Sequence, residues 1–88
     1  MSANIVENLT VVVQDTPVTG NYNANFPLHA LVTTLLAKTK QGVQDAAQWV
    51  LRTEDGKITF DLAKTIGEAG IGSNQTLRLV LKRDGVVA

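Results

Sequence analysis

The sequence predicts a single α+β domain in which a mixed sheet of four to five strands carries one main helix on one face. Three observations support this fold class. Several short stretches are rich in β-branched or alternating apolar residues, one longer stretch has helical periodicity, and turn-forming residues separate them. A chain of 88 residues can bury only one core, so the strands and the helix must share it.

The strands are predicted on both sides of the helix. They are residues 9–14, 17–23, 49–53, 57–60 and 75–82. The first is β-branched on both faces, which is typical of a central strand covered by a helix. The second contains Pro17 and Gly20, which favour a sheet edge. The third and fourth form a predicted hairpin around a turn at 54–56.

The helix is predicted over residues 28–39, where apolar residues recur with helical spacing. Its apolar stripe consists of Leu28, Leu31, Val32, Leu35 and Leu36. Pro27 suits the entry to the helix, Asn25 or Phe26 is expected to lie at the cap, and Gly42 is expected to end it. We expect the stripe to pack on Val11, Val13, Leu77 and Leu79 of the sheet.

Composition disfavours several classes of function. The net charge is zero, with eight residues of each sign, whereas nucleic-acid-binding proteins usually have a basic excess. No apolar run reaches the roughly 20 residues that span a bilayer, and no signal peptide is visible. The chain lacks cysteine, which favours a cytoplasmic protein without disulfides or cysteine metal sites. We therefore expect no nucleic-acid partner and no membrane association.

The sequence contains no convincing catalytic or cofactor site. His29 is the only histidine, and an exposed position in the first helical turn is expected for it. The aspartates are scattered over predicted turns and caps, where their local hydrogen bonding is common. The glycines near residue 70 lack the strand-then-helix setting of a phosphate-binding loop. We therefore expect a protein that is not an enzyme and that needs no metal and no cofactor.

The closing strand and the tail after it carry a family resemblance. Leu77, Leu79 and Leu81 alternate on one side of the strand, and Arg78, Val80 and Lys82 on the other. The run from Thr76 to Leu81, with the basic residues and Gly85 that follow, resembles the last strand and tail of ubiquitin. The resemblance covers roughly residues 9–85 and implies the ubiquitin-like β-grasp fold.

A narrower resemblance concerns bacterial proteins. Residues 9–15, 25–36 and 49–56 are similar to small bacterial ubiquitin-like proteins encoded beside activating and conjugating enzymes. This implies a protein modifier whose C-terminal glycine carboxylate is adenylated, transferred to an enzyme nucleophile and passed to a target. The implied partners are an activating enzyme, a conjugating enzyme and a peptidase that processes the tail. Self-association is also possible for such a domain.

The expected organisation is a loosely ordered N-terminus (1–7), a β-grasp domain (8–82) and a flexible tail (83–88). The candidate conjugation and processing site consists of Lys82, Arg83, Asp84, Gly85, Val86, Val87 and Ala88. Glycine suits this chemistry because a tail without side chains can thread a narrow channel and present an unhindered carbonyl. The last three residues exceed the family pattern. Either a peptidase removes them and exposes Gly85, or the protein no longer conjugates.

The second candidate site is a surface for partner recognition. Ubiquitin is bound through an apolar patch on the outer face of its sheet, and the resemblance assigns the equivalent patch to Val50, Arg78 and Val80. We expect the two valines to be exposed neighbours.

Two other functions are compatible with the sequence. One is a non-conjugating ubiquitin-like adaptor or secretion-system accessory that acts by binding alone. The other is a sulfur carrier ending in a thiocarboxylate, although such carriers normally end in two glycines, which this chain lacks.

Overall fold

A computed structural model of the protein describes residues 4–81. The elements are β1 (Ile5–Val13), β2 (Thr16–Asn23), α1 (Leu28–Lys38), a 3₁₀ turn (Ala46–Gln48), β3 (Trp49–Thr53) and β4 (Thr76–Leu81). The strands form one sheet in the order β2-β1-β4-β3. The central pair β1–β4 is parallel and the two outer pairs are antiparallel. The sheet is therefore mixed, with one helix on one face, as predicted.

The core lies between α1 and one face of the sheet. All five residues of the predicted apolar stripe of α1 are fully buried. They share one cluster with the inward residues of the two central strands and β3, chief among them Leu9, Val11, Val13, Leu51, Leu77 and Leu79. The predicted packing of α1 on β1 and β4 is confirmed. No helix within the described range is long and apolar enough to cross a membrane.

The edge position predicted for the second strand is confirmed, because β2 pairs only with β1. Pro17 lies opposite Val12 in this pair, where an edge strand tolerates a missing N–H. Gly20 leaves room for the ring of Tyr22, whose hydroxyl would lie 3.1 Å from a Cβ at that position. The two residues that weakened the strand prediction therefore both fit the edge.

Residues 5–7, which were expected to be loosely ordered with the rest of 1–7, belong to a strand, because β1 begins at Ile5. β1 contains a bulge between Val6 and Leu9, where Asn8 has a left-handed φ of 55°. The backbone N–H of Asn8 donates to the side chain of Asn21 at 3.0 Å. The backbone N–H of Glu7 donates to the hydroxyl of Ser73 at 2.9 Å. These contacts hold the start of the strand in the sheet.

The start of α1 has no side-chain cap. The N-cap is Pro27, which comes after both positions expected for it. A neighbouring loop supplies acceptors instead: the N–H of Leu28 donates to the Lys64 carbonyl at 2.9 Å, and that of His29 to the Leu62 carbonyl at 3.2 Å. Two of the N–H groups that a helix leaves unpaired at its start are thus satisfied by residues distant in sequence.

The end of α1 is a Schellman motif built on a lysine. Lys40 has a left-handed φ of 56°, and its N–H donates to the carbonyl of Ala37 at 3.2 Å. The N–H of Gln41 donates to the carbonyl of Leu36 at 3.0 Å. This is the pair of bonds that closes such a motif. Gly42 was therefore the wrong residue for the helix end.

The predicted strand at 57–60 is not formed, so the sheet has four strands. Only a single bridge joins Thr59 to Arg52. Ile58 and Phe60 would share one face of a strand, yet Ile58 is 56% exposed while Phe60 is half-buried against the core. The segment therefore runs beside β3 without keeping strand alternation.

Candidate interaction surface

The tail site predicted from the sequence, residues 82–88, lies outside the described residues. The described chain ends at Leu81, the last residue of β4.

The face of the sheet opposite α1 contains the predicted recognition patch. Trp49 and Leu51 are buried, so Val50 points away from the core, as predicted. Val50 and Val80 are direct cross-strand partners in the β3–β4 pair. Both valines, like Arg78, are half-buried, whereas exposed valines were expected. The difference has a simple cause, since neighbouring side chains on a flat sheet face cover one another.

Arg52 also lies on this face, although it was not among the predicted site residues. It is the cross-strand partner of Arg78 in the β3–β4 pair. Arg78 in turn lies beside Val12 of β1. The signal was available, because Arg52 follows Val50 by two residues and so shares its face. Its position opposite Arg78 depends on the strand register, which the sequence does not give directly.

We call this surface the outer sheet face. Its outward residues are Thr10, Val12, Pro17, Thr19, Val50, Arg52, Thr76, Arg78 and Val80. None of these residues is acidic. At one end the hydroxyls of Thr10 and Thr19 are hydrogen-bonded across strands at 2.8 Å. The face is thus an apolar and hydroxylated surface with two cationic side chains side by side.

Among residues 4–81, two titratable groups have shifted pKa values, and neither belongs to the outer sheet face. Burial raises the pKa of Tyr22, whose ring stacks on Phe26 with centroids 6.0 Å apart. Hydrogen bonds from the Thr53 hydroxyl and the Lys57 backbone N–H lower the pKa of Asp55 in the turn after β3.

The described chain gives no geometry for metal-dependent or histidine-based chemistry. Between residues 4 and 81 there is no group of three or more histidine, aspartate and glutamate side chains placed to hold a metal ion. His29 is exposed in the first turn of α1, and its backbone N–H is used by the Leu62 carbonyl.

Solved structures with ubiquitin-like folds resemble this one over nearly all of its length. A ubiquitin-like domain from tubulin-binding cofactor B is 19% identical, covers 99% of this chain and 100% of its own, and has a TM-score of 0.73. Ubiquitin of Caldiarchaeum subterraneum is 16% identical, with 90% and 96% covered and a TM-score of 0.69. A designed protein based on ubiquitin is 17% identical, with 99% and 100% covered and a TM-score of 0.72. At these identities the likeness shows the fold alone, and the fold is ubiquitin-like.

Sequence comparison gives the family. No curated protein matches the chain. One family model matches residues 3–86, which is nearly the whole sequence. The chain therefore belongs to the family described as Protein of Unknown function (DUF2604).

Proposed function

We propose that this ubiquitin-like protein is a bacterial-type protein modifier that acts in the cytoplasm. The observation that carries the proposal is the run Thr76–Leu81 followed by two basic residues and Gly85, because the closing strand and tail are the part of a modifier that enzymes act on. The ubiquitin-like fold supports it by placing that run in a central strand, between β1 and β3.

The proposed chemistry takes place on the tail. A peptidase hydrolyses the bond between Gly85 and Val86 and releases Val-Val-Ala. The new Gly85 carboxylate attacks the α-phosphate of ATP on the activating enzyme, which expels pyrophosphate and leaves an acyl adenylate. An enzyme nucleophile displaces AMP, and the acyl group passes through a conjugating enzyme to an amine of the target. Glycine favours each transfer because no side chain hinders attack on its carbonyl.

The experiment is intact-mass analysis after incubation with ATP and the peptidase and activating enzyme encoded with the protein. We expect loss of Val-Val-Ala and then an adduct through Gly85. Gly85→Pro should abolish the adduct, because proline fixes φ and crowds the carbonyl, while the thermal unfolding of the domain stays unchanged. A chain ending at Gly85 is the matched control and should form the adduct without the peptidase.

Other outcomes would change the proposal in definite ways. An adduct through Ala88 on an uncut chain would refute processing and keep the modifier function. If no adduct forms with an activating enzyme shown to be active, the modifier function is wrong.

The second candidate is a non-conjugating adaptor or secretion accessory. It is favoured by the three non-glycine residues after Gly85 and by the outer sheet face, where Val50, Arg78 and Val80 would contact a partner. Gene neighbourhood separates the two functions. An adjacent adenylating enzyme and metallopeptidase support the modifier, and a secretion operon supports the adaptor.

A further inference from the structure

Two arginines face each other on the outer sheet face, Arg52 on the edge strand β3 and Arg78 on the central strand β4. Arg52 and Arg78 are direct partners in the antiparallel β3–β4 pair, so their Cβ atoms are about 4.5–5.5 Å apart. The bridge from Arg52 to Thr59 and the pairing of Arg78 with Val12 place them inside a continuous row. Thr59 and Val12 are therefore the next residues of this row on either side of the arginine pair.

This arrangement is unfavourable in the isolated domain. Like charges directly opposite each other destabilise a strand pair. Between residues 4 and 81, no side-chain hydrogen bond or ion pair to a carboxylate neutralises either guanidinium. The Nε atom of Arg52 is itself buried without a hydrogen-bond partner in the described part of the chain. A buried donor without an acceptor costs free energy.

We propose that the Arg52–Arg78 pair binds carboxylates of an acidic segment in a partner protein. A guanidinium group matches a carboxylate through two parallel hydrogen bonds, and two adjacent groups can hold two neighbouring acidic side chains. The carboxylates would remove the repulsion within the pair. The inference rests on the proposed role of this face in partner binding, and it does not depend on conjugation through the tail.

The residues around the Arg52–Arg78 pair indicate which other side chains the acidic partner segment contains. Val50 and Val80 lie on one side of the arginines, and Val12 lies beside Arg78. A ligand seated on the pair would therefore also cover apolar surface, which favours a peptide with aliphatic residues beside its acidic ones. A nucleic acid fits poorly, because its affinity comes from many phosphate contacts and the described part of the outer sheet face offers two cations.

The test is an NMR titration of the ¹⁵N-labelled full chain. The probe is an acetylated, amidated peptide, Leu-Val-Glu-Asp-Glu-Asp-Val-Leu, and its control has Gln and Asn in place of Glu and Asp. We expect saturable shifts of the Nε–H signals of Arg52 and Arg78 and of the amides of Val12, Val50 and Val80. The affinity should fall as salt rises from about 50 to about 300 mM, since the contacts are between charges.

Charge-matched variants distinguish binding by the Arg52–Arg78 pair from general electrostatic attraction between the protein and the peptide. Arg52→Gln combined with Arg78→Gln should weaken the Kd about tenfold or more. Lys38→Gln combined with Lys64→Gln removes the same amount of charge from exposed positions elsewhere. This variant should change the Kd less than about twofold. Arg52→Lys combined with Arg78→Lys keeps the charge without the forked donors, and an intermediate Kd is expected.

Three results would overturn the proposal. The neutral peptide could bind as tightly as the acidic one, or the double glutamine variant could bind the acidic peptide as tightly as the unaltered protein. A decamer of thymidylate could instead bind the pair more tightly than the peptide, which would make the ligand a nucleic acid. Because no enzyme takes part and the tail is unaltered, failure of conjugation leaves this test unaffected.

Discussion

At the scale of the residue, Asp55 organises the turn that follows β3. One of its carboxylate oxygens accepts hydrogen bonds from the Thr53 hydroxyl at 2.6 Å and from the Lys57 backbone N–H at 3.0 Å. Gly56 completes the turn with a left-handed φ of 78°, and its N–H donates to the Thr53 carbonyl at 2.9 Å. Both bonds to Asp55 favour the ionised carboxylate, which explains its lowered pKa.

This lowered pKa predicts how acid affects stability. The folded pKa lies below the unfolded value, so the contribution of Asp55 is complete above the unfolded pKa and is lost as pH falls through the folded one. The unfolded value is near 3.8. Asp55→Asn keeps an acceptor without a charge. The free energy of unfolding of the unaltered protein should therefore fall relative to that of this variant as pH falls below about 4.

Urea unfolding at a series of pH values measures this difference. Thr53→Val removes the hydroxyl that contributes most to the lowered pKa. In that background the relative loss on acidification should be smaller, although the variant is less stable at neutral pH. An identical pH dependence of the unaltered protein and Asp55→Asn would contradict the prediction.

Among the secondary-structure elements, α1 ends on a strained backbone conformation at Lys40. A non-glycine residue in the left-handed region costs about 1–2 kcal/mol, and Lys40 has φ of 56°. Lys40→Gly relieves this strain at the cost of about 0.4–1 kcal/mol of extra chain entropy in the unfolded state. The variant should therefore be more stable by about 0.5 kcal/mol, measured by urea unfolding.

The control for this prediction is Lys40→Ala, which removes the charge and keeps the Cβ atom. It should be no more stable than the unaltered protein. If alanine stabilised the protein as much as glycine, the gain would come from the lost charge and strain would not be its cause.

The elements that the sequence predicted well are those in which apolar residues recur with a regular helical or strand period. The apolar stripe of α1 and the alternation in β4 depend only on residues within each element, so both were placed to within one or two residues. The residues that cap the helix were misassigned because the groups that satisfy its ends are distant in sequence or of an unusual type. The loop carbonyls of Leu62 and Lys64 cap the start, and a lysine takes the position that usually selects glycine at the end.

The candidate surface was predictable in part for the same reason. Alternation placed Val50 and Val80 on the outward face, and the structure makes them direct partners. The Arg52–Arg78 pair required the register between two strands separated by a long connection, and nothing local in the sequence sets that register. The bulge in β1 could not be predicted for a similar reason. The side chains that accept its backbone hydrogen bonds, those of Asn21 and Ser73, come from other parts of the chain.

At the scale of the whole molecule, one core joins every element. α1 contributes five fully buried side chains, and the central strands supply the facing residues. Solved proteins that are only 15–21% identical to this chain share its ubiquitin-like fold. This is possible because a buried position requires an apolar residue of suitable size and does not require one particular amino acid. Stability should then depend strongly on single positions of this core.

Leu35 provides the test, since it is fully buried in the middle of the α1 stripe. Leu35→Ala should lower the free energy of unfolding by about 2–5 kcal/mol, because it removes buried methyl groups and leaves a cavity. That is a large share of the roughly 4–13 kcal/mol expected for a domain of this length. Urea unfolding followed by circular dichroism measures it. The neighbouring Thr34 is exposed, and Thr34→Ala should change the free energy by less than about 0.5 kcal/mol. Equal effects of the two substitutions would mean that the stripe does not face the core.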